Sequence, residues 1–360
     1  MTEEQIVSEL LEFIASDLVD DDSFNTKALR LFAYQFKNNS PFNKFARARA
    51  KTPRTVKHWS DIPPVPINAF KNLDLSCREV NRTVATFMTS GTTQGGLRGK
   101  SYHPTLTVYD ASMRRNFAER FMNGHAKIDM GILFPTVEVM PNSSLAHYLN
   151  LAVETFGTPG SAHLIGESGI DFSRLEYDLA QAEATGKPYA LLGASFSLVH
   201  ALDEMQRLGR TAQLPAGSRI LDTGGFKGQS RVLDLDEFYD ALSQTFGVPR
   251  ALCINMYGMT ELSTQFYDNG NAVCPSVKSG PHWIRTRIVN PLTGVSLPKG
   301  DVGVLAHTDL AHFNIVTTIL TEDAGIETDD GFLLLGRAEG AEAQGCSMAM
   351  DEFLKTAGAS

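Results

Sequence analysis

"FMTSGTTQGGLRGKSYH", residues 87–103, is the densest run of hydroxyls and glycines in the chain. Thr89, Ser90, Thr92 and Thr93 surround Gly91. Gly95, Gly96 and Gly99 follow, and Arg98, Lys100 and His103 add positive charge. This combination suits a polyphosphate: flexible backbone lets N–H groups converge on phosphate oxygens, hydroxyls donate further hydrogen bonds, and cations offset the negative charge. A Walker A loop, G-x-x-x-x-G-K-[ST], is the obvious competitor. "GKS" stands at 99–101, but the first required glycine falls on Gln94 and Gly95 comes one residue late. A one-residue deletion spoils the convergence of the N–H groups that such a loop depends on. A glycine-rich hairpin turn accounts for the glycines but not for the hydroxyls around them.

Outward from this loop, "TVATFM" (83–88) reads as a strand running into it, and a helix follows Pro104. "MGILFP" reads as a buried strand and "PNSSLAHYLNLAVETFG" as a capped helix. "YALLGAS", "SLVHALDEMQRLG", "SRILDTGG", "DEFYDALSQTFG" and "RALCINMYG" continue the alternation. Strands alternating with helices predict an α/β fold with two mostly parallel sheets and flanking helices. Upstream, residues 3–18 and 24–39 carry helical apolar spacing with Thr2 as N-cap, so residues 1–60 form a helical segment, and the prolines of "DIPPVPINAF" force extended chain. From about residue 285, short strands joined by turns predict a small antiparallel, barrel-like subdomain.

The bulk numbers narrow the function. The chain has 360 residues, a net charge of −9, 42% hydrophobic and 20% charged residues. That is ordinary globular composition, and the negative charge argues against nucleic-acid binding. No stretch approaches the ~18 consecutive apolar residues of a membrane span. The start, "MTEEQIVSELLEF", is acidic and amphipathic rather than a signal sequence, so a cytoplasmic location is expected. Cys77, Cys253, Cys274 and Cys346 form no CxxC pair and are expected to be free thiols.

A second signal lies far downstream. "NMYGMTEL" spans 255–262, and "TSGTT" followed by "YGMTE" resembles the adenylate-forming superfamily of acyl-CoA ligases, peptide-synthetase adenylation domains and luciferase-like enzymes. "LTEDAG" and "GFLLLGR" look like that superfamily's later motifs, at Asp323 and at Gly336–Arg337. A narrower resemblance covers roughly residues 60–350. "IPPVPINAFK", "PNSSLAHY", "GASFSLVHALD", "DTGGFKGQSR" and "GRAEGAEAQGCS" resemble LuxE-type acyl-protein synthetases, which activate fatty acids and pass them to a thiol.

This resemblance implies ATP and Mg²⁺, a carboxylic acid substrate and an acyl-accepting protein partner. It places ATP's phosphates on Thr89, Ser90, Gly91, Thr92 and Thr93. Adenine would lie along Gly224, Gly225, Tyr257 and Gly258, with Thr260 on the α-phosphate. Glu261 would ligate Mg²⁺, Asp323 would bind the ribose hydroxyls, and Arg337 the ribose or α-phosphate. His147 would stand beside the acyl carboxylate, and Ser195 and Phe196 would wall the acyl pocket. The superfamily spacing T-S-G-T-T-G-x-P-K would put a lysine at position 97, which is Leu97; Lys100 is the nearest substitute. The larger enzymes continue past the Gly-Arg motif into a further domain carrying a catalytic lysine. Here residues 1–335 read as the AMP-binding domain and 336–360 as a short remnant. Cys346 in that remnant matches the acyl-accepting cysteine of LuxE-type chains. A helix over "SMAMDEFLKTA" would set it at a positive helix start on a mobile tail and lower its pKa. Three other functions stay open: transfer to coenzyme A, a non-catalytic acyl- or nucleotide-binding regulator, and a Walker-type NTPase.

Overall fold

Local chemistry sets most of the elements. In the computed structural model, which describes residues 2–17, 20–90, 96–166, 169–225 and 230–357, Thr2 caps the helix Glu3–Ala15 through a capping box with Gln5. Asp20 caps Asp21–Asn38, and Asn39 caps Ser40–Ala48. Each cap accepts a backbone N–H that the first helical turn cannot satisfy internally. The chain resolves into two compact units: residues 1–115, 259–264 and 279–360 form one, and 116–258 with 265–278 the other.

In the first unit, the N-terminal helices bury Phe24, Phe32, Phe42 and Phe45. Two buried amides tie them to the sheet: Gln35 donates to Phe313 O at 2.8 Å and Asn39 to Ile315 O at 2.9 Å. The sheet is antiparallel, with Ile284–Val289, Val302–Asp309, Thr318–Glu327 and Phe332–Arg337 as successive neighbours. This is the antiparallel end expected from residue 285 onward. Val65–Pro66, held extended by the prolines around it, adds in parallel to Ile319–Leu320. The C-terminal helix Gly340–Ala357 also belongs to this unit. Phe353 meets the Phe45 ring at 4.6 Å between centroids, Arg49 forks onto Glu352 at 2.6 and 3.0 Å, and Lys44 donates to Ala357 O at 3.1 Å.

In the second unit, strands Ala162–His163, Asp129–Leu133, Tyr189–Ala194, Arg219–Thr223 and Cys253–Tyr257 lie side by side in parallel, with Phe266–Tyr267 as an antiparallel edge. Tyr189–Ala194 and Arg219–Thr223 are buried along their whole length, as expected for strands covered by helices on both faces.

Two expectations need correction. Among the described residues there is one mostly parallel sheet, not two. The strand expected at "TVATFM" is present as Ala85–Met88 and stands outside that sheet: it pairs antiparallel with Lys100–His103, because the loop returns the chain directly instead of through a crossover helix. The C-terminal helix starts at Gly340, six residues before Cys346, and is docked rather than a mobile tail. The Ala, Glu and Gln of "GAEAQG" are good helix formers and carry the helix back past the expected start.

Candidate active site

In the first unit, the neck of the hydroxyl loop is closed by two hydrogen bonds. Thr89 N donates to Gly99 O at 3.0 Å, and Gly99 N donates to Thr89 Oγ1 at 2.9 Å. Gly91, Thr92 and Thr93 lie outside the described residues, and Ser90 is the last described residue before them. Lys100 opens the returning strand opposite Met88 and is partly buried.

Gly99 sits where three distant parts of this unit meet. A β-carbon there would lie 3.1 Å from Glu261 Oε1, 3.1 Å from Thr89 Cγ2 and 3.5 Å from Phe70 Cβ. The hydroxyl loop and the "YGMTE" segment are therefore adjacent in space, and glycine leaves room beside a buried carboxylate.

Glu261 is only 5% exposed, and burial pushes its pKa up to about 7. The charges of Lys71 and then Arg337 pull it back down, while Asp323 adds to the rise. A buried carboxylate of this kind is short of positive charge and fits a cation.

The segment after Glu261 is anchored by a carboxylate that no motif signalled. Asp309, fully buried, accepts from Ser263 N (2.8 Å), Thr264 N (2.9 Å), Thr264 Oγ1 (2.8 Å) and Ala311 N (3.0 Å). Ser263 Oγ also pairs with His312 Nδ1 at 2.9 Å, and burial, then His103, keeps His312 well below its usual pKa and therefore neutral. Asp309→Ala would strand several buried donors. It should cost about 3 kcal/mol or more in urea denaturation and slow any reaction that uses Glu261.

Asp323 lies on strand Thr318–Glu327 opposite Arg337, whose Nε is 3.5 Å from the Asp323 carboxylate and whose Nη1 is 3.3 Å from Glu322. Arg337 is largely exposed, so these pairs are weak and leave it able to reorient. Thr260 is half-buried in the turn before Glu261. Beneath the strand, Cys346 is 7% exposed and its Sγ lies 3.7 Å from Thr321 O. It packs with Val289, Val304, Ala306, Leu320 and Ala349. Gly345 permits this docking, because a β-carbon there would meet Pro291 Cγ at 2.6 Å. The expected lowering of the thiol pKa is reversed: burial, then the charges of Glu322 and Asp323, push it up to about 11. The thiol sits within the helix, not at its positive end.

In the second unit, the candidates cluster at the carboxyl ends of three neighbouring parallel strands. Ser195 follows Tyr189–Ala194, Gly224 and Gly225 follow Arg219–Thr223, and Tyr257 and Gly258 close Cys253–Tyr257. This is the edge where parallel α/β sheets usually receive ligands. Gly224 has φ +78°, a conformation that favours glycine. Below them is a buried network not seen from sequence: Asp222 accepts from Ser195 Oγ (2.9 Å), Asn255 Nδ2 (2.8 Å) and Tyr239 OH (3.0 Å), and burial pushes it up to about 6. Ser195 is thus committed to holding the strand ends rather than exposed to a pocket. Phe196 lines an open groove of about 490 Å³ together with Ile165, Ile170, Phe172 and His200. His147 is half-buried in the first turn of helix Ser144–Phe156, its N–H bonded to Ser143 O.

This fold is shared with adenylate-forming ligases. ATP-bound MatB from Rhodopseudomonas palustris superposes with a TM-score of 0.52 at 17% identity, over 72% of this chain and 49% of that one, so this chain spans about half of MatB's length. 2-Hydroxyisobutyryl-CoA ligase in complex with 2-HIB-AMP superposes with a TM-score of 0.62 at 13% identity, over 88% of this chain and 67% of that one. The acyl-protein synthetase (LuxE) family model matches residues 8–355, and the chain belongs to that family. Among its curated relatives are two proteins named long-chain-fatty-acid–luciferin-component ligase. The one from Vibrio harveyi is 24% identical over 83% of this chain and 78% of its own length, and the one from Aliivibrio fischeri 21% identical over 88% and 86%.

Proposed function

We propose that this enzyme activates a carboxylic acid, of the fatty-acid class that its relatives' names point to, as an acyl-adenylate, and then passes the acyl group to a protein thiol. The observation that carries the reading is the meeting of Thr89, Gly99 and Glu261 in one unit, with Asp323 and Arg337 on the neighbouring strand.

In the first step a carboxylate oxygen attacks the α-phosphorus of ATP. A P–O bond forms, the bond to the β-phosphate oxygen breaks, and pyrophosphate leaves with the electron pair. Both reactants are anions, so the chain's part is to align them and offset their charge. The Thr89 neck, with Ser90, Gly91, Thr92 and Thr93, is assigned to the phosphates, and Thr260 to the α-phosphate. Asp323 is assigned to the ribose diol, and Arg337 to the ribose or α-phosphate. Lys100 is retained as a candidate phosphate contact.

Glu261 is the residue that would hold Mg²⁺. A hard dication is commonly bound by one or two carboxylates together with the substrate's phosphates, the mode proposed here. When bound, the ion neutralises phosphate charge. In the second unit, Gly224, Gly225, Tyr257 and Gly258 remain the proposed adenine residues. Phe196 and His147 remain the proposed acyl-side residues, with Ser195 acting through Asp222.

In the second step a thiolate attacks the acyl carbon, the C–O bond to the adenylate breaks, and AMP leaves. The thiol proton goes to solvent. Cys346 is the proposed acceptor, directly or on the way to a partner protein. The test is pyrophosphate exchange into ATP with a panel of fatty acids and Mg²⁺. Exchange that requires an acid supports the reading, whereas phosphate release without AMP, or thioester found only on coenzyme A, contradicts it.

A further inference from the structure

Lys71 lies in a stretch to which sequence motifs gave no role. It ends the string "IPPVPINAFK", and three features fix the short helix that carries it beside the site. First, Val65–Pro66 pairs in parallel with Ile319–Leu320, and Ile67 N donates to Leu320 O at 3.0 Å. This sets the short helix Ala69–Asn72 next to the strand that bears Glu322 and Asp323. Second, Asn68 Nδ2 donates to the Glu322 carboxylate, locking the start of that turn. Third, Phe70 Cβ, Thr89 Cγ2 and Glu261 Oε1 all lie within 3.5 Å of where a β-carbon on Gly99 would stand, so Phe70, the neighbour of Lys71, closes in on the same glycine as Glu261.

The charge balance gives this placement meaning. Asp323 adds its negative charge to that of Glu261, and Arg337 is ion-paired with Asp323 and Glu322. A triphosphate and a carboxylate must both enter, and each needs positive charge. Of the cations acting on Glu261, Lys71 is felt more strongly than Arg337. Lys71 is half-buried, a setting in which a lysine packs its stem and carries its charge at the end of it.

We propose that Lys71 is a catalytic residue of the adenylation step: its ammonium contacts the substrate's phosphate or carboxylate oxygens beside Glu261 and stabilises the negative charge that gathers as they join. This rests on the adenylation reading. The chemistry asks for a compact cation with several donors that can follow charge as it shifts from the carboxylate to the bridging oxygen, and lysine supplies it.

The experiment compares wild type with Lys71→Gln, Lys71→Met and Lys71→Arg in fatty-acid-dependent pyrophosphate exchange, together with thermal unfolding of each. Lys71→Gln and Lys71→Met should lose about 100-fold in kcat for exchange, with melting temperatures within a few degrees of wild type. Lys71→Arg should recover at least about a tenth of the wild-type rate, because charge is restored. Exchange within about twofold of wild type in both neutral variants overturns the assignment while leaving adenylation intact. So does loss that merely tracks unfolding in both. Absence of acid-dependent exchange in wild type removes the adenylation reading, and the role of Lys71 with it.

Discussion

Glu261→Gln is expected to reduce acid-dependent pyrophosphate exchange by at least about 100-fold while leaving the fold at least as stable as wild type. The two halves of this result come from one physical cause. Burial raises the Glu261 pKa to about 7, so the folded chain holds a proton that the unfolded chain, with an ordinary carboxylate pKa near 4.5, releases. The folded state therefore binds more protons between those values, and stability falls as pH rises from about 4.5 to about 7. Above pH 7 the ionised side chain costs up to about 3 kcal/mol, which a neutral glutamine does not. A residue kept for packing would show the opposite: substitution would destabilise and activity would follow stability. Wild-type exchange should also rise with pH through about 7, because the ionised carboxylate is the form that accepts a cation, and this limb should be absent from the residual activity of Glu261→Gln. Urea denaturation and exchange, each measured from pH 5 to pH 9, check both halves.

Cys346→Ala is expected to abolish acylation of the chain while leaving acid-dependent exchange within about twofold of wild type, since exchange needs only the first step. Mass spectrometry after incubation with ATP, Mg²⁺ and a fatty acid reads the first, and removal of the added mass by neutral hydroxylamine identifies a thioester. Acyl mass persisting in Cys346→Ala would rule out this cysteine as the acceptor. The docked helix adds a sharper expectation. With its thiol buried and its pKa pushed up to about 11, Cys346 should react slowly with iodoacetamide at pH 8 in the native chain and much faster in urea. Arg49 and Phe353 hold the helix down, so Arg49→Ala and Phe353→Ala should both speed native-state labelling. The Phe353 effect should be larger, because Phe353 is fully buried and its truncation leaves a cavity, whereas the Glu352 partner of Arg49 is partly exposed. Acyl transfer then requires the helix to loosen, and transfer should accelerate in the same variants.

How far the sequence could be read depended on whether a feature was local. The helix cap at Thr2, the capped helix of "PNSSLAHYLNLAVETFG", the strand–helix alternation of the second unit and the antiparallel end after residue 285 all follow from neighbouring residues, and the structure has them. The order of "TSGTT" and "YGMTE" marked two segments that the structure brings together at Gly99, even though the centre of the first lies outside the described residues. What was missed depends on pairing across long separations. Asp309 is one aspartate among many until Ser263 and Thr264 fold onto it, and Asp222 is hidden inside a strand whose apolar neighbours alone suggest core. Lys71 gains its setting only because Val65–Pro66 pairs with a strand more than two hundred residues later. The C-terminal helix begins earlier than "SMAMDEFLKTA" suggested, and Gly345, within the added stretch, lets the helix press against Pro291, a contact between residues more than fifty positions apart.

The most direct measurement is a crystal structure of the chain with a hydrolysis-resistant acyl-adenylate analogue, an acyl-sulfamoyl-adenosine, and Mg²⁺. The sulfamoyl group is expected beside Thr89 and Glu261, within hydrogen-bonding reach of the Thr89 loop, with the ribose hydroxyls on Asp323 and Glu261 facing the ion. An analogue bound with its sulfamoyl group away from Thr89 and Glu261, and its ribose away from Asp323, would contradict it.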